Sequence, residues 1–525
     1  MAEHNVSNIQ AQKIENTALE NNCAAVLSIA DTVRTTLGPK GLDKLLVDEL
    51  GNRFITNDGA TIMLSIKTIH PVAKMVVEIA DRQEAKSGDG TTTAVVLAAE
   101  MLKEGKRLIT DMGIHPTLIV RGMEIGIQRS IELLQQMAVK IDIGDARLAQ
   151  VISTAAGSRM DGDQVVSLVS KAVSLLKNSK GKKRMINFKK SILLINKPEL
   201  EDLVFDGFIL QRQFQDSQIP NHVHNVGAIL MKMDLKEIRE SCTTEMKNYD
   251  DVVRMKENQA RITKEISDSI CRTGAGILFI SSPQVDELLL SNLLVKNILP
   301  IQVSNGELLT IAYAFDMQVI RRKEDIERGT VVTLKSMRYD EEKGLFFFEN
   351  LAQQNVVTIL IGGATKVTSQ ERWRSVKDGI SAAQSALNDG IVAGGGAVEL
   401  CISEKLKEKS LNGGVESLGI EVVAHALSGI MRQILTNAGF SAFEKMTEIR
   451  NKSGEYGINI NTGKIENMLE AGVIDSAGIK INALKSAAEI VKAVLRIDRI
   501  LIAHSPHNAV VGKSANEPNL KGSIG

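Results

Sequence analysis

The segment of this chain best suited to chemistry is Gly88-Asp89-Gly90-Thr91-Thr92-Thr93, which runs straight into the apolar stretch Ala94-Val95-Val96-Leu97-Ala98-Ala99. Glycine lets the backbone approach a ligand closely, and a helix that begins here turns unpaired N–H groups and the positive end of its dipole towards that ligand. Three threonine hydroxyls add donors, so the chemistry is that of an anion site, most simply a phosphate site. Asp89 is out of place in it, because a carboxylate repels phosphate. A bridging Mg2+ removes the conflict, since that ion is commonly held by carboxylate and phosphate oxygens together. Taken alone, the same residues read equally well as a Gly-Asp-Gly turn with a threonine N-cap.

Other turns offer related chemistry. Thr35-Thr36-Leu37-Gly38-Pro39-Lys40-Gly41 closes a helix-like run with glycine and proline, which leaves backbone groups free to face a ligand. Asn57-Asp58-Gly59-Ala60-Thr61 sets an Asp-Gly turn between an apolar run and a helix-like segment, although an isolated Asn-Asp-Gly is more often a hairpin turn than a site. Far along the chain Ala393-Gly394-Gly395-Gly396-Ala397 opens another helix. Just before it, Arg374-Ser375-Val376-Lys377-Asp378-Gly379 carries a carboxylate on a helical segment. No GxxxxGK[ST] or GxSxG element occurs, which excludes a Walker-type phosphate loop and a serine-hydrolase elbow.

Apolar residues recur at helical spacing over 18–37, 94–112 and 115–139, and again over 396–407, 418–438 and 481–502. The middle differs. Short runs such as Ala228-Ile229-Leu230-Met231, Gly276-Ile277-Leu278-Phe279-Ile280, Val331-Val332-Thr333-Leu334 and Val356-Val357-Thr358-Ile359-Leu360-Ile361 read as strands between helices. Helical ends around an α/β middle describe one domain interrupted by an insertion, a multidomain α+β chain. The 525 residues carry 63 basic and 63 acidic side chains, so net charge is zero. That balance argues against a general nucleic-acid surface and against a disordered acidic chain, and only 3% aromatics argues against base stacking. No apolar run reaches the length of a membrane span. The four cysteines, Cys23, Cys242, Cys271 and Cys401, show no metal spacing and read as free thiols of a reducing, cytoplasmic compartment. His222 and His224 share one face if their stretch is extended, which reads as a surface pair before a metal pair. The basic run 180–184 reads as a solvated loop, and the charged stretch 236–264 as a projecting helical element or an exposed helix face.

Taken together and in order, these motifs resemble one family closely, the ring-forming chaperonins. The resemblance rests on Thr36-Leu37-Gly38-Pro39-Lys40-Gly41, Thr56-Asn57-Asp58-Gly59-Ala60-Thr61, Gly88-Asp89-Gly90-Thr91-Thr92-Thr93, Gly394-Gly395-Gly396 and Gly472-Val473-Ile474-Asp475. Any one of them is weak, but five in the right order are specific. Leu42-Asp43-Lys44-Leu45-Leu46-Val47-Asp48 and Leu495-Arg496-Ile497-Asp498 favour the group II type, that of the thermosome and the eukaryotic cytosolic chaperonin. The bacterial group III branch shares that layout, and Val392-Ala393-Gly394-Gly395-Gly396 is also compatible with group I.

The resemblance implies a chaperonin fold of three nested domains. A mainly helical equatorial ATPase domain would comprise 1–142 and 392–525, and a small α/β intermediate hinge domain 143–203 and 355–391. An α/β apical, client-binding domain would span 204–354, with a helical lid protrusion at about 236–262. It further implies an ATP-dependent chaperone that encloses unfolded proteins in two stacked rings of like subunits, without a separate co-chaperonin. Mg2+ would be the cofactor, with K+ a second candidate ion. By the same resemblance backbone groups at Leu37, Gly38 and Pro39, with Gly90, Thr91, Thr92 and Thr93, hold the nucleotide's phosphates, and Thr36, Asn57 and Gly59 belong to the nucleotide site. Asp89 carries the metal, Asp58 and Asp378 position the attacking water, and Gly395, Asn459, Ile460 and Asp475 line the base and ribose.

The sequence departs from the family pattern in two places. A loop that often carries a phosphate-sensing lysine reads Ser153-Thr154-Ala155-Ala156-Gly157-Ser158-Arg159, which leaves Arg159, a larger and bidentate donor, as the candidate sensor. Asp475-Ser476-Ala477-Gly478-Ile479 lacks the usual proline. In the middle region Leu288-Leu289-Leu290 and Leu293-Leu294-Val295 read as a client patch or as the buried face of an ordinary helix, with burial preferred for at least half of them. The competing readings are a nucleotide-binding scaffold on the same fold that folds no client, and a group I chaperonin that needs a separate lid.

Overall fold

The computed structural model describes residues 2–47, 49–51, 53–157, 162–179, 187–213, 220–233, 249–282, 287–350, 355–410, 413–450, 452 and 455–497. Their elements gather around separate hydrophobic cores, which divide the chain into three bodies.

The first body is drawn from both ends of the chain. Helices Ala2–Arg34, Pro71–Ser87, Thr91–Thr110, Pro116–Met137, Val415–Asn437 and Ala477–Leu495 bury a shared aliphatic core that includes Val26, Val95, Met101, Ile119, Val423, Leu427, Leu484 and Val491. Local signals start two of them: Pro71 and Pro116 occupy first-turn positions, where a missing N–H costs nothing. Along Thr91–Thr110 every position from 94 to 102 is buried, so the helix enters the core on all sides, and only towards its end, at 105 and 108, does burial narrow to one face. Helices Pro116–Met137 and Val415–Asn437 cross where glycine meets glycine. A Cβ on Gly122 would lie 2.2 Å from the Glu416 carbonyl oxygen, and one on Gly419 would lie 2.6 Å from the Gly122 Cα.

The second body sits where the chain leaves the first and returns to it, a crossing marked by an antiparallel bridge between Val139 and Ile391. Strand Val357–Ile361 runs parallel to Ile192–Asn196 and antiparallel to Leu203–Phe205. Helices Ala146–Ala156, Gly162–Ser179 and Lys366–Asp389 pack with this small sheet around Ile152, Val169, Leu176, Phe188, Ile359 and Val376. The third body is a seven-stranded mixed sheet. Its antiparallel part is Phe208–Gln211, Leu345–Asn350, Val332–Asp340 and His222–Lys232, and its parallel part continues through Ile277–Ser281 and Leu299–Gln302, with Val319–Ile320 beside His222–Lys232. Alternate side chains of the central strands feed opposite cores: Leu230, Phe279 and Ile301 on one face, Ile229, Met231, Leu278 and Ile280 on the other. The scarce aromatics concentrate in the first of these cores, where Phe208, Phe279, Phe315, Phe346 and Phe348 pack edge-to-face or stacked.

Several sequence expectations shift. The first helix stops at Arg34 instead of running to 37, because the chain turns at Thr35 and Thr36. The last described helix begins at Ala477, earlier than its apolar spacing implies, and ends at Leu495; residues 498–525 lie outside the described part. Helix Val415–Asn437 is long and apolar enough to cross a membrane by length and composition alone, and most of it is buried in the first body. The basic run at 180–184 lies outside the described residues, as does 236–248 of the expected protrusion, while Tyr249–Arg272 is one long helix. In helix Glu287–Val295, Leu289 and Leu293 are buried whereas Leu288 and Val295 are exposed. His222 and His224 do lie on a strand, with exposed rings 4.1 Å apart. The Gly122 crossing yields an expectation: Gly122→Ala should cost about 1–3 kcal/mol, as core overpacking does. Calorimetry should show a lower unfolding midpoint, and an unchanged midpoint would mean that the two helices separate freely.

Candidate functional site

The turns singled out above converge at the junction of the first two bodies. Gly88 closes helix Pro71–Ser87 with φ 71°, and Gly90 precedes helix Thr91–Thr110 with φ 85°, so both glycines hold a left-handed backbone that other residues adopt only at a cost. No side chain caps that second helix, which leaves its first N–H groups free to meet an anion. Asp58 caps the short helix Gly59–Ser65. Its carboxylate accepts from the N–H of Ala60 at 3.3 Å, the N–H of Thr61 at 3.0 Å and the Thr61 hydroxyl at 2.5 Å. The hairpin of this region is formed by the preceding strands Lys44–Val47 and Arg53–Thr56, so Asn57-Asp58-Gly59 starts a helix instead of turning a hairpin. Gly59 brings that cap against the phosphate-type turn, since a Cβ there would lie 2.1 Å from the Thr92 hydroxyl.

The turn after the first helix is held from behind. Thr36 is buried and bonds back to the Val33 carbonyl at 2.8 Å. The Asn437 amide donates to the carbonyls of Arg34 at 2.9 Å and Leu37 at 2.8 Å, which satisfies two carbonyls at the helix end. Gly38 has φ 88° and lies against Ile434. Arg34 pairs with the buried Glu100 of helix Thr91–Thr110 at 3.3 Å, tying this turn's helix to the one that opens at Gly90.

Negative charge accumulates between these turns. Burial pushes the Asp89 carboxyl up to about 7; the Gly90 N–H opposes the shift, and the charges of Asp475, Glu84 and Asp58 add to it. A site with this donor set suits a divalent cation that would take Asp89 as a ligand and offset its neighbours, the pattern by which Mg2+ joins carboxylate to phosphate. Among the described residues no group of three or more His, Cys, Asp and Glu is arranged to hold a metal by itself, so phosphate oxygens would have to complete the shell. Asp475 lies in strand Ile474–Ser476, paired with Ile391–Ala393. Its Oδ2 is 2.7 Å from the Lys480 ammonium, which also meets the buried Glu399 at 2.5 Å. Burial alone would lower the Lys480 pKa, but the two carboxylates outweigh it and hold it above the ordinary range. Gly394 lies beside Asp475, and Gly395 follows with φ 63°. The Asn459 side chain is engaged in its own loop: it accepts from the N–H of Asn461 and donates to Glu466 at 3.1 Å. Ile460 packs on two cores of the first body.

Asp378 arrives from the second body, midway along helix Lys366–Asp389. Its neighbour Lys377 forms an ion pair of 2.8 Å with Glu84 of helix Pro71–Ser87. Burial opposes the Lys377 charge, but Glu84 outweighs it, aided by Asp378 and Asp58, and its pKa is raised. Arg159 lies outside the described residues, in 158–161. Sequence reasoning passed over Glu84, Lys377, Asn437 and Lys480. Only Lys480 left a usable signal, a lysine within the otherwise apolar run Ala477-Gly478-Ile479-Lys480-Ile481, where burial demands a charged partner.

Comparison with known proteins agrees with this geometry. The model of the TCP-1/cpn60 chaperonin family matches residues 29–505. A thermosome subunit of Methanopyrus kandleri is 33% identical over 92% of this chain and 91% of its own length. A thermosome subunit of Methanothermococcus thermolithotrophicus is 31% identical over the same shares. A group III chaperonin, crystallised in the open state, superposes with a TM-score of 0.77 at 26% identity over 92% of this chain and 99% of that one. With a family model spanning most of the sequence and relatives aligned over nearly their full length, the chain belongs to the TCP-1/cpn60 chaperonin family.

Proposed function

We propose that this chaperonin hydrolyses ATP and uses the cycle to enclose and fold non-native proteins. The observation that carries the reading is the docking of the helix that bears Asp378 on the first body: Lys377, its neighbour, pairs at 2.8 Å with Glu84, the residue that also accepts from the Thr91 hydroxyl at the head of the helix behind the Gly88–Thr93 turn. Hydrolysis assembled in this way depends on how the bodies are docked, which is how a hinge couples chemistry to shape.

In this reading the first body is the equatorial domain, the second the intermediate hinge and the third the apical, client-binding domain, with the boundaries given by the resemblance. The turns at Thr36–Pro39 and Gly90–Thr93 bind the phosphates through backbone N–H and hydroxyl groups. Asp89 holds Mg2+, which when bound offsets the charge of the phosphates and of the surrounding carboxylates. Asp58 and Asp378 orient the attacking water and draw its proton. Asp475, steadied by Lys480, accepts from the ribose hydroxyls, and Gly395 leaves room for the base. Like subunits form two stacked rings in the cytoplasm, because a lone subunit cannot surround a client and head-to-tail contacts close into rings. The lid is built into the third body, on the part of the chain that includes helix Tyr249–Arg272.

Three outcomes follow. Asp378→Ala should still bind ATP but release phosphate about a hundredfold more slowly, or worse; wild-type release would remove Asp378 from the reaction. Asp89→Asn should bring nucleotide affinity in Mg2+ down to the value found in a chelator, measured by calorimetric titration, and an intact Mg2+ dependence would place the metal elsewhere. The particle and ATP alone should refold a denatured client and shield it from protease. A requirement for an added lid protein would point to a group I type of cycle.

A further inference from the structure

The helix that carries Asp378 lies on the first body along one row of side chains. Lys377, Ser381 and Ser385 recur at four-residue spacing and so share a face. Ser381 sits against Gly88, where a Cβ would be 2.1 Å from its hydroxyl. The Ser385 hydroxyl is 2.7 Å from that of Ser476. The serine contacts are between small neutral groups. The ion pair of Lys377 with Glu84 is the strong, directional member of the row, 2.8 Å long and half-buried, and it adjoins Asp378. Glu84 has a second role: its other carboxylate oxygen accepts from the Thr91 hydroxyl at 3.3 Å, at the head of the helix that faces the phosphates. One carboxylate thus touches both the phosphate-binding turn and the helix that delivers Asp378. Lys189, also of the second body, reaches the Ala85 carbonyl at 3.3 Å, so this corner of the junction is cationic on one side and acidic on the other.

We propose that the Lys377–Glu84 ion pair is the latch that docks the second body on the first, and that Lys377 is a positioning residue for Asp378. The proposal rests on the assignment of Asp378 to the hydrolytic step. Lys377 need not touch nucleotide to act: it sets the depth at which the neighbouring carboxylate enters the site. Because Thr91 shares Glu84 with it, phosphate that draws on the Thr91 hydroxyl also alters the grip on Lys377, which links occupancy of the turn to the hinge.

The test uses the full-length particle and two readouts. Trp373, the single tryptophan of the chain, lies one turn before Lys377 with its ring 5.9 Å from the ammonium, so its emission follows the docking of this helix without any added label. Lys377→Met and Glu84→Gln should each lower kcat for ATP by about ten- to a hundredfold, the scale of a small misplacement of a reacting group, with KM largely kept. Glu84→Gln, which leaves Lys377 and Trp373 in place, should also shift the nucleotide-free emission to the red. Lys377→Arg, which keeps the positive charge and its reach to Glu84, should retain turnover and emission, an outcome that loss of folding on substitution at this position would not produce. Wild-type turnover in Lys377→Met, alongside an inactive Asp378→Ala, would overturn the latch, as would Lys377→Arg turning over as slowly as Lys377→Met. If Asp378→Ala itself turned over normally, the hydrolytic assignment would fail, and the emission of Glu84→Gln would decide the latch alone.

Discussion

Like charges gathered at a domain junction are the constraint on which the rest of this structure depends. Burial first, and then the nearby charges of Asp475, Glu84 and Asp58, push the Asp89 carboxyl up to about 7. Side chains free to move would separate, so the carboxylates must be held by something stiffer than their repulsion. Asp58 is held by two backbone N–H groups and a hydroxyl, Asp475 by a buried ammonium, and Glu84 by Lys377 and Thr91. What remains unbalanced at Asp89 is charge that a cation and phosphate oxygens can share.

The helical first body supplies the stiffness. Its core is almost wholly aliphatic, and its crossing helices come close enough at Gly122 and Gly419 that a single methyl group would strike backbone. Such packing holds the helix ends in place, and the helix ends carry the turns. Asn437 and Glu100 extend the same support outwards: each reaches from a core helix to the end of the first one. The third body solves a separate problem. It takes Phe208, Phe279, Phe315, Phe346 and Phe348 into one face of its sheet, while helix Glu287–Val295 keeps Leu288 and Val295 outside.

In the proposed cycle the second body is the lever between the other two. Its helix Lys366–Asp389 is fixed at the Asp389 end, where Ser385 and Asp389 crowd Gly478 and the Asn388 carbonyl accepts from Lys140. Towards its middle, contact with the first body passes to Ser381 and the Lys377–Glu84 pair. Asp378 lies at that second contact, so a small rotation about the fixed end moves the carboxylate while leaving the phosphate turns intact. Nucleotide binding and hydrolysis can in this way be separate events on one site.

Sequence alone determined the parts with local causes. Glycines that must adopt a positive φ at 88, 90 and 395, an aspartate that caps a helix at 58, and the alternation that sends Ile229 and Leu230 to opposite cores are all set within a few residues of chain. The order of those motifs identified the family for the same reason, because each turn has to be written locally. Helix limits were less legible: apolar spacing ran on past Arg34, where the backbone turns, and gave no sign that the last helix starts at Ala477. The partners of the charges were settled by tertiary structure alone. Glu84 and Lys377, like Asn437 and Leu37, are far apart in the chain, and nothing in an exposed-looking glutamate or lysine announces which distant side chain it will meet. A turn is decided by the torsions of a few neighbouring residues, whereas an ion pair between bodies is decided by where two whole cores come to rest.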